Sequence, residues 1–407
     1  MIKNRLIILF SFLTSLGASA CSGPGLIGNP QMPYPLSAPA EVGQIVHMPT
    51  GILVSEDEML DIASRNRIVY VGETHDNPAS HRLQLKVLKA MTDRYPGKVA
   101  VGMEMFTPAQ NEALEQWING DLSEKEFLRA AGWFTVWKGD YEYYRALLNF
   151  AREKKIPVIG LNAEKKAVRL VVADKTEELT EAEKQIVAKM DLDDPYQRGL
   201  VEGIYGGHVK SEGMLDGFHR AQTLWDETMA ESVASFLNQE EHRDFHMVVI
   251  AGGNHIRYGF GIPRRVFRRL PSTYTLIGGK EIEIPESKRD KLMDVTLPQF
   301  PMVPYDFMVF TRYEELEKKG VKLGVMFSDT EDQVSIKMVA PGSNAERAGI
   351  EEGDTVIAID GEKIVDKFDV FYSIGQKMIG DRSTVTIKRD DKIMELDVSF
   401  SSKPENE

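Results

Sequence analysis

Two short turns share one pattern, a glycine followed three residues later by a histidine, and each comes directly after an apolar run. The first is Gly72-Glu-Thr-His75 and the second is Gly252-Gly-Asn-His255. Short Val/Ile runs that end in glycine are typical of buried strands in an α/β sheet, and ligands collect beyond the carboxyl ends of such strands. The pattern therefore predicts that the two histidines share one pocket.

Glu73 lies two residues before His75, so in an extended backbone both side chains leave on the same side. A carboxylate and an imidazole on one face can share a metal ion, or can act as an orienting group and a general base. Structural capping of a strand end is the alternative interpretation of this turn taken alone.

Polar residues also end other predicted strands. Glu104 and Asn162 each follow an apolar run, and His219, Gln222 and Asp226 recur along one side of a predicted helix over residues 214–236. Charged side chains are rarely buried fully unless they are paired or bound to something. Because polar groups arrive at the same end of successive strands, we interpret them as a functional pocket rather than a structural polar edge.

Three further residues are weaker candidates for this pocket. His81 lies one turn into the helix that follows the first turn, near enough to face the pocket or else exposed on the helix. Arg257 and Tyr258 closely follow His255. An arginine can pair with a ligand carboxylate, and a tyrosine phenolate is an accepted iron ligand.

An unusually aromatic segment lies between the second and third predicted strands. Most clusters of this kind belong to the core, but a partly exposed one could stack on a flat apolar ligand. Its members are Trp133, Phe134, Trp137, Tyr141, Tyr143 and Tyr144.

The elements that must position these groups alternate between strand and helix. Strands are predicted over residues 68–71, 99–103, 157–161, 247–251 and 274–277, with a last one over 306–311. Helix signals separate them, including the N-cap pair Asn77-Pro78 and a capping box that begins at Thr107. The alternation predicts an α/β domain with a mostly parallel sheet flanked by helices.

The composition is that of a globular protein: 407 residues, 42% hydrophobic and 27% charged, with a formal net charge of −13. The chain is long enough for two domains with sizeable cores. It carries no basic footprint, so we expect no nucleic-acid partner.

The N-terminus is predicted to be a signal peptide over residues 1–20, with Lys3 and Arg5 before a short apolar stretch. Cys21, the only cysteine, follows directly. Two interpretations stay open: ordinary cleavage that leaves a soluble protein, or a lipobox in which Cys21 is acylated. The second predicts a lipid-anchored, Pro-rich tether over 21–45, and a location at the outer membrane of a bacterial cell envelope, facing the periplasm.

Residues 318–402 change character and closely resemble a bacterial PDZ domain. The segment from Val339 to Ile350 and the hairpin signal Asp360-Gly361 carry the resemblance. The resemblance implies that Leu323, Gly324 and Val325 form the carboxylate-binding loop and the start of the strand that pairs with a ligand. The expected partner is a protein C-terminus or an extended peptide.

Over residues 46–313 the chain resembles the ChaN family of the Tiki superfamily. The motifs that carry the resemblance are Gly72 to Asn77, Gly102 to Phe106, Leu161 to Ala163, Gln222 to Ala230 and Gly253 to His255. The resemblance implies a helical subdomain and an exported lipoprotein that binds haem non-covalently for iron uptake. Candidate haem-binding residues are His75, His81, His219, His255, Arg257 and Tyr258. The oligomeric state stays open, a homodimer included.

The wider superfamily includes metal-dependent peptidases and erythromycin esterases, which the same turns also resemble. That resemblance implies a hydrolase in which Glu73, His75, Glu104 and His255 hold Zn, Mn or Co or activate water. A PDZ domain is not part of the basic ChaN pattern, and in the cell envelope it often accompanies proteolysis. A third interpretation, a scaffold that only presents the PDZ domain, conflicts with the repeated polar strand ends.

Overall fold

The computed structural model describes residues 28–208, 212–289, 295, 297–316, 321–328 and 333–401. The predicted signal peptide and Cys21 lie outside the described residues. The larger part of the chain contains an eight-stranded sheet. Its strands are β1 (Ile45–His47), β2 (Ile52–Val54), β3 (Ile68–Glu73), β4 (Val99–Met103), β5 (Val158–Gly160), β6 (His246–Gly252), β7 (Tyr274–Glu283) and β8 (Phe307–Arg312).

Helices separate most of these strands and cover both faces of the sheet. They are α1 (Glu56–Ala63), α2 (Pro78–Arg94), α3 (Asn111–Asn119), α4 (Glu124–Ala130), α5 (Trp133–Val136), α6 (Glu142–Lys154), α7 (Lys165–Val172), α8 (Glu181–Val187), α9 (Pro195–Tyr205), α10 (Glu212–Asn238), α11 (Gly253–Ile256), α12 (Ile262–Arg269) and α13 (Glu286–Arg289). Short 3₁₀ turns lie at Pro108–Gln110, Thr176–Glu178, Gly206–His208, Glu240–His242 and Arg257–Gly259.

The strand order is β2-β1-β8-β7-β3-β6-β4-β5. The strands from β8 to β5 pair in parallel, and β1 pairs antiparallel with both β2 and β8. The predicted mostly parallel α/β sheet is therefore confirmed. β7 is longer than the predicted strand over 274–277, because its second half pairs with β8 although the segment is polar.

Side-chain alternation in β3 divides the interior into two cores. Val69 and Val71 face a core built with α2, α3 and α6, whereas Ile68 and Tyr70 face a core built with α10 and α12. All six residues of β3 are buried, as expected for a central strand with helices on both faces.

The capping residues that the sequence predicts precede α2 and the 3₁₀ turn that leads into α3. The Asn77 side chain accepts a hydrogen bond from the Ala79 amide, with Pro78 in the first turn of α2. The capping box from Thr107 to Gln110 is formed, with its first turn in 3₁₀ geometry before α3. These caps satisfy amide groups that a helix N-terminus leaves without intrahelical acceptors.

Parallel pairing aligns the carboxyl ends of the central strands. Glu73 lies beside Gly252 in the β3–β6 register, and Met103 lies beside Ile250 in the β4–β6 register. Because β6 lies between β3 and β4, the turns that follow all three strands meet at one edge of the sheet. This edge is where open α/β sheets bind ligands.

The C-terminal part is a smaller, β-rich unit with two helices. Its elements are β9 (Val325–Phe327), β10 (Ile336–Val339), α14 (Asn344–Arg347), β11 (Thr355–Ile359), β12 (Glu362–Lys363), α15 (Lys367–Gly375), β13 (Arg382–Arg389) and β14 (Lys392–Ser399). Asp360 and Gly361 both have positive φ, the geometry of a tight hairpin turn, and they join β11 to β12.

The unit has an apolar core of its own, built around residues such as Ile336, Val385 and Ile387.

Within the described residues, no helix is both long and apolar enough to cross a membrane.

Candidate functional site

The two glycine turns meet around Gly252. A Cβ atom at this position would lie 3.0 Å from His75 Nε2 and 3.5 Å from Glu104 Oε2, so a larger residue would require the imidazole of His75 to shift. At Gly72, a Cβ atom would lie 3.2 Å from the Cα of Gly253. Glycine is therefore favoured at both positions, because the two turns pack closely against each other and against the site.

Glu73 is a buried carboxylate that is held from several sides. It accepts hydrogen bonds from His75 Nδ1 at 2.6 Å, from the Tyr144 hydroxyl at 2.7 Å and from Gln84 Nε2 at 2.5 Å, and His81 Nδ1 lies 3.6 Å away. Burial opposes ionisation of this carboxyl, but the bond from His75 and the charges of the two histidines outweigh it. The pKa of Glu73 is therefore held below its usual range.

His75 is the accessible histidine of the site. Its side chain is 46% exposed, and its Nδ1 is engaged by Glu73. Trp137 stands edge-on to the imidazole, with ring centroids 5.0 Å apart. Burial alone would lower the pKa of His75, but the bond to Glu73 and the charges of Glu104, Glu73 and Asp76 raise it to about 9.

A second carboxylate–histidine pair lies deeper in the same pocket. His255 Nδ1 lies 2.7 Å from Asp226 Oδ1 and 2.8 Å from Gln222 Nε2, and its Nε2 lies 3.5 Å from Glu104 Oε1. Burial lowers the pKa of His255, but the charges of Glu104 and Asp226 more than compensate and raise it. Glu104 is fixed in turn by the amide of Gly252, at 2.6 Å.

Two supporting contacts hold this deeper pair. Gln197 Nε2 donates to Asp226 Oδ2 at 2.7 Å, and Gln197 Oε1 accepts from Arg265 Nη2 at 2.6 Å. The Asn162 side chain donates to the backbone oxygen of Glu104 at 3.0 Å. The polar residues predicted at the strand ends therefore lie close to Gln222 and Asp226 of α10, and each of these side chains has a partner within the protein.

His219, a candidate from the same helix, is placed differently. It is only 3% exposed, and its Nε2 has no hydrogen-bond partner among the described residues. Burial, with the charges of Arg198 and Arg265, lowers the pKa of His219. The imidazole is therefore buried and neutral at pH 7.

The remaining candidates lie beside the site rather than in its opening. His81 is buried. Its Nε2 lies 3.0 Å from the backbone oxygen of His75 and its Nδ1 lies 3.2 Å from Gln84 Oε1, so it stabilises the first turn. Tyr258 packs against Phe260 and Phe300 in a separate aromatic cluster.

Arg257 interacts with the Tyr305 hydroxyl, which is the main cause that raises its pKa. Its placement therefore gives it a protein partner rather than a position in the opening of the pocket.

Sequence reasoning gave no site role to Gln84, Gln197 or Tyr205, and it named Tyr144 only as a member of the aromatic segment. Gln84 and Tyr144 hold Glu73, and the Tyr205 hydroxyl lies near enough to Glu104 and Asp226 for their charges to raise its pKa, after burial. A signal existed for Gln84, a polar residue on the buried face of α2, between Leu83 and Val87. Tyr205 follows no pattern that identifies it.

Family comparison identifies the larger domain. The family model described as haem-binding uptake, Tiki superfamily, ChaN matches residues 59–266, half of the chain. The chain belongs to the ChaN family. A PDZ domain model matches residues 321–400, so the ChaN domain is followed by a PDZ domain, as predicted.

One solved structure shares the fold of the larger domain. The structure titled "Cofacial heme binding to ChaN of Campylobacter jejuni" is 17% identical, with a TM-score of 0.50, and the match covers 65% of this chain and 95% of that one. At this identity the likeness shows the fold alone.

Two other solved structures are less similar to this chain. One is to a variant of erythromycin esterase EreC in its open conformation (14% identity, TM-score 0.36, 56% and 73% covered), and the other is to a serine endoprotease from Yersinia pestis (17% identity, TM-score 0.18, 20% and 28% covered). No curated protein matches the chain.

The residues of the ChaN domain fit haem at the first pair. His75 has one ring nitrogen oriented by a carboxylate and the other free of protein hydrogen bonds within the described residues, the arrangement that orients histidine ligands of metals. For a metal ion alone the fit is weaker. No group of three or more His, Cys, Asp or Glu side chains with the spacing of a metal site is found in the described part of the chain.

In the PDZ domain, the predicted carboxylate-binding loop directly precedes β9. Gly324 has φ of 87°, and a Cβ atom there would lie 2.3 Å from the Cβ of Ser343, so a side chain would not fit. The carbonyls of Leu323 and Gly324 accept from the amides of Ala345 and Ala340, at 2.8 and 2.9 Å. The carbonyl groups of the loop therefore anchor it to neighbouring segments of the PDZ domain.

Proposed function

We propose that the ChaN domain binds haem non-covalently, with His75 Nε2 as the iron ligand. The observation that carries the proposal is the Glu73–His75 pair at the mouth of the pocket, in which Glu73 engages Nδ1 and thereby directs Nε2 outwards. Haem iron is commonly held by one histidine, and a carboxylate on the other ring nitrogen raises the basicity of such a ligand.

Exposure distinguishes His75 from the other candidates. A flat macrocycle needs an imidazole that it can approach, and His75 is nearly half exposed, whereas His219 and His255 are almost completely buried. Tyr258 is buried among aromatic rings. These differences favour His75 and leave His255 as a buried supporting group.

The surroundings of His75 also suit haem. Trp137 and Tyr143 are partly buried aromatic residues beside the first turn, so they offer apolar surface to a macrocycle. Lys138, which follows Trp137, is exposed, and Lys165 donates to the backbone oxygen of Thr135 on the same short segment. Haem propionates bound beside Trp137 would have these two cations within reach.

The test is a haemin titration of purified residues 22–407, followed by visible absorbance. The proposal expects a saturable Soret shift that His75→Ala abolishes or weakens strongly. The matched control is His47→Ala, because His47 bonds Thr50 on the outer strand β1, far along the sheet from the site. A shift that is unchanged in His75→Ala, or no saturable shift in the unmodified protein, would refute the proposal.

We also propose that the chain is an envelope lipoprotein that takes part in iron acquisition. The support is the apolar N-terminal stretch and the position of Cys21 as the sole cysteine, directly after Ala18-Ser-Ala20. Metabolic labelling with a palmitate analogue tests this: the label should enter the full chain and be absent from Cys21→Ala. Membrane fractionation would then distinguish the outer membrane, which we propose, from the inner one.

The PDZ domain is proposed to dock a protein C-terminus. Within the described residues, β9 pairs only with β10, so its other edge can accept an added strand. A C-terminal carboxylate would meet the amides of the loop from Leu323 to Val325, while the peptide backbone extends the sheet.

A metal-dependent hydrolase is the second candidate. The observation in its favour is the Asp226–His255 pair with Glu104 3.5 Å from the imidazole, a set that could orient a water molecule or share a Zn, Mn or Co ion. Ester and peptide substrates should then be hydrolysed after loading with these metals, and Glu104→Gln should abolish turnover. Elemental analysis that finds no bound metal, with no turnover, would dismiss this candidate.

A further inference from the structure

The PDZ helix α15 packs against the ChaN domain through charged contacts at its N-terminal end. Arg129 on α4 pairs with Asp366, the N-cap of the helix, and its second amino group lies 2.6 Å from Asp369 Oδ1. Lys125, one turn earlier on α4, lies 3.3 Å from the same Asp369 oxygen. Asp369 is buried, whereas Lys125, Arg129 and Asp366 are partly exposed, so these pairs lie at the edge of the contact between the domains.

Aromatic packing extends the same contact. The Arg129 guanidinium lies over the Phe368 ring, 4.4 Å from its centroid, and Phe134 on α5 lies 5.6 Å from Phe368. Phe368 and Tyr372 pack against the main core of the ChaN domain. Oppositely charged groups and apolar rings thus hold α15 in one place relative to α4 and α5.

Three phenylalanine rings form a continuous row from the ChaN domain to the peptide-pairing strand. Phe134 lies 6.1 Å from Phe371 on α15, and Phe371 lies 5.9 Å from Phe327 at the end of β9. Phe371 is 41% exposed, and the other two rings are partly buried. The row therefore presents apolar surface to solvent on the side of the PDZ domain where β9 and α15 face each other.

The direction of a bound peptide follows from the free edge of β9. A ligand whose carboxylate lies at Gly324 and whose strand runs antiparallel to β9 passes Val325 first and reaches Phe327 about two residues before its own end. Its side chains alternate, so the last residue and the residue two before it point to the same face. The second of these meets the row of rings.

We propose that Phe134 of the ChaN domain completes an apolar subsite of the peptide groove, together with Phe327 and Phe371. The partner is a protein C-terminus with an aromatic or large aliphatic side chain two residues before its last residue. This inference rests on the proposed docking of a C-terminus by the PDZ domain. It adds that an isolated PDZ domain lacks one wall of its own specificity site.

The test is selection from a phage library of random C-terminal decapeptides on immobilised residues 22–407, followed by affinity measurements with labelled synthetic peptides. The unmodified protein is expected to enrich an apolar last residue and an aromatic or large aliphatic residue two positions earlier. Phe134→Ala should keep the first preference and lose the second, and its affinity for the enriched peptide should fall about 3- to 10-fold.

Matched variants separate specificity from damage to the fold. Phe267→Ala removes an exposed ring on α12, away from the PDZ domain, and should leave selection unchanged. Phe134→Leu keeps an apolar side chain and should retain most of the preference, even where Phe134→Ala loosens the contact between the domains. Gly324→Val, which blocks the loop, should abolish selection altogether.

Two results would overturn the inference in different ways. Equal selectivity of the unmodified protein and Phe134→Ala would show that the ChaN domain contributes nothing to recognition, while peptide docking itself stands. No enriched C-terminus on the unmodified protein, relative to Gly324→Val, would refute peptide docking and the composite subsite together. Neither result bears on haem binding, which the titration measures separately.

Discussion

Replacing Glu73 by glutamine should change the pH dependence of haem binding more than its strength at neutral pH. His75 has a raised pKa of about 9, so near pH 7 its imidazole carries a proton that iron coordination must displace. The pKa of Glu73 lies below its usual range, so Glu73 stays ionised throughout. As pH rises towards 9 the competing proton is lost, so haem affinity of the unmodified protein should rise with pH and then level off.

The size of the change in haem affinity follows from the raised pKa of His75. Two pH units below the pKa, displacing the proton costs at most about 2.7 kcal/mol, and because nearly half of the imidazole is exposed to solvent, screening reduces this to about 1–2 kcal/mol. Haem affinity should therefore increase about 5- to 30-fold between pH 7 and pH 9.5.

Glu73→Gln has two opposing consequences. It removes the charge that holds the proton, which favours haem at pH 7, and it removes the carboxylate that orients the ligand, which costs about 10- to 100-fold in affinity for metals held by histidine. The two should largely cancel at pH 7, and the full loss should emerge at pH 9.5.

Soret titrations of the unmodified protein, Glu73→Gln and His75→Ala at pH 7, 8, 9 and 9.5 measure this directly. His75→Ala corrects for changes in free haemin with pH, since it lacks the proposed ligand. An affinity that is independent of pH in the unmodified protein would refute the reasoning. So would a deficit in Glu73→Gln that is equally large at pH 7 and pH 9.5.

Two further predictions concern the support of the site. Gly252→Ala places a methyl group 3.0 Å from His75 Nε2, so the imidazole must shift and haem affinity should fall at least about tenfold. The control is Gly279→Ala, which has nothing within 4 Å of the added methyl group and should bind haem normally in the same titration. Arg265→Met removes a fully buried guanidinium that lies 2.9 Å from the buried carboxylate of Glu227, which two other arginines also contact. Urea unfolding should show that the free energy of unfolding falls by about 3 kcal/mol.

The parts of the fold that periodicity and caps specify locally could be predicted from the sequence. The apolar runs of the central strands, the Asn77-Pro78 start of α2 and the Asp360-Gly361 hairpin each depend on neighbouring residues, and the structure contains all of them. The convergence of the strand-end residues was also predictable, because parallel strands deliver their carboxyl ends to one edge.

The partners that hold the site could not be predicted in this way. Tyr144 reaches Glu73 from a helix 71 residues further along the chain, and Gln197 reaches Asp226 across 29 residues. Such contacts depend on how helices pack over the sheet, which no local pattern encodes. Tyr258 shows the converse: it follows His255 closely in sequence, yet its positive φ turns the chain and its ring packs with Phe260.

The two carboxylate–histidine pairs differ in the property that decides what each can bind. The Glu73–His75 pair is open at the imidazole, so a large planar ligand can reach Nε2, while the side chain of His255 is only 10% exposed and its Nε2 faces Glu104. Glu104 interacts with both imidazoles, so a ligand bound at one pair would change the electrostatic environment of the other, and the two proposed activities would not be independent.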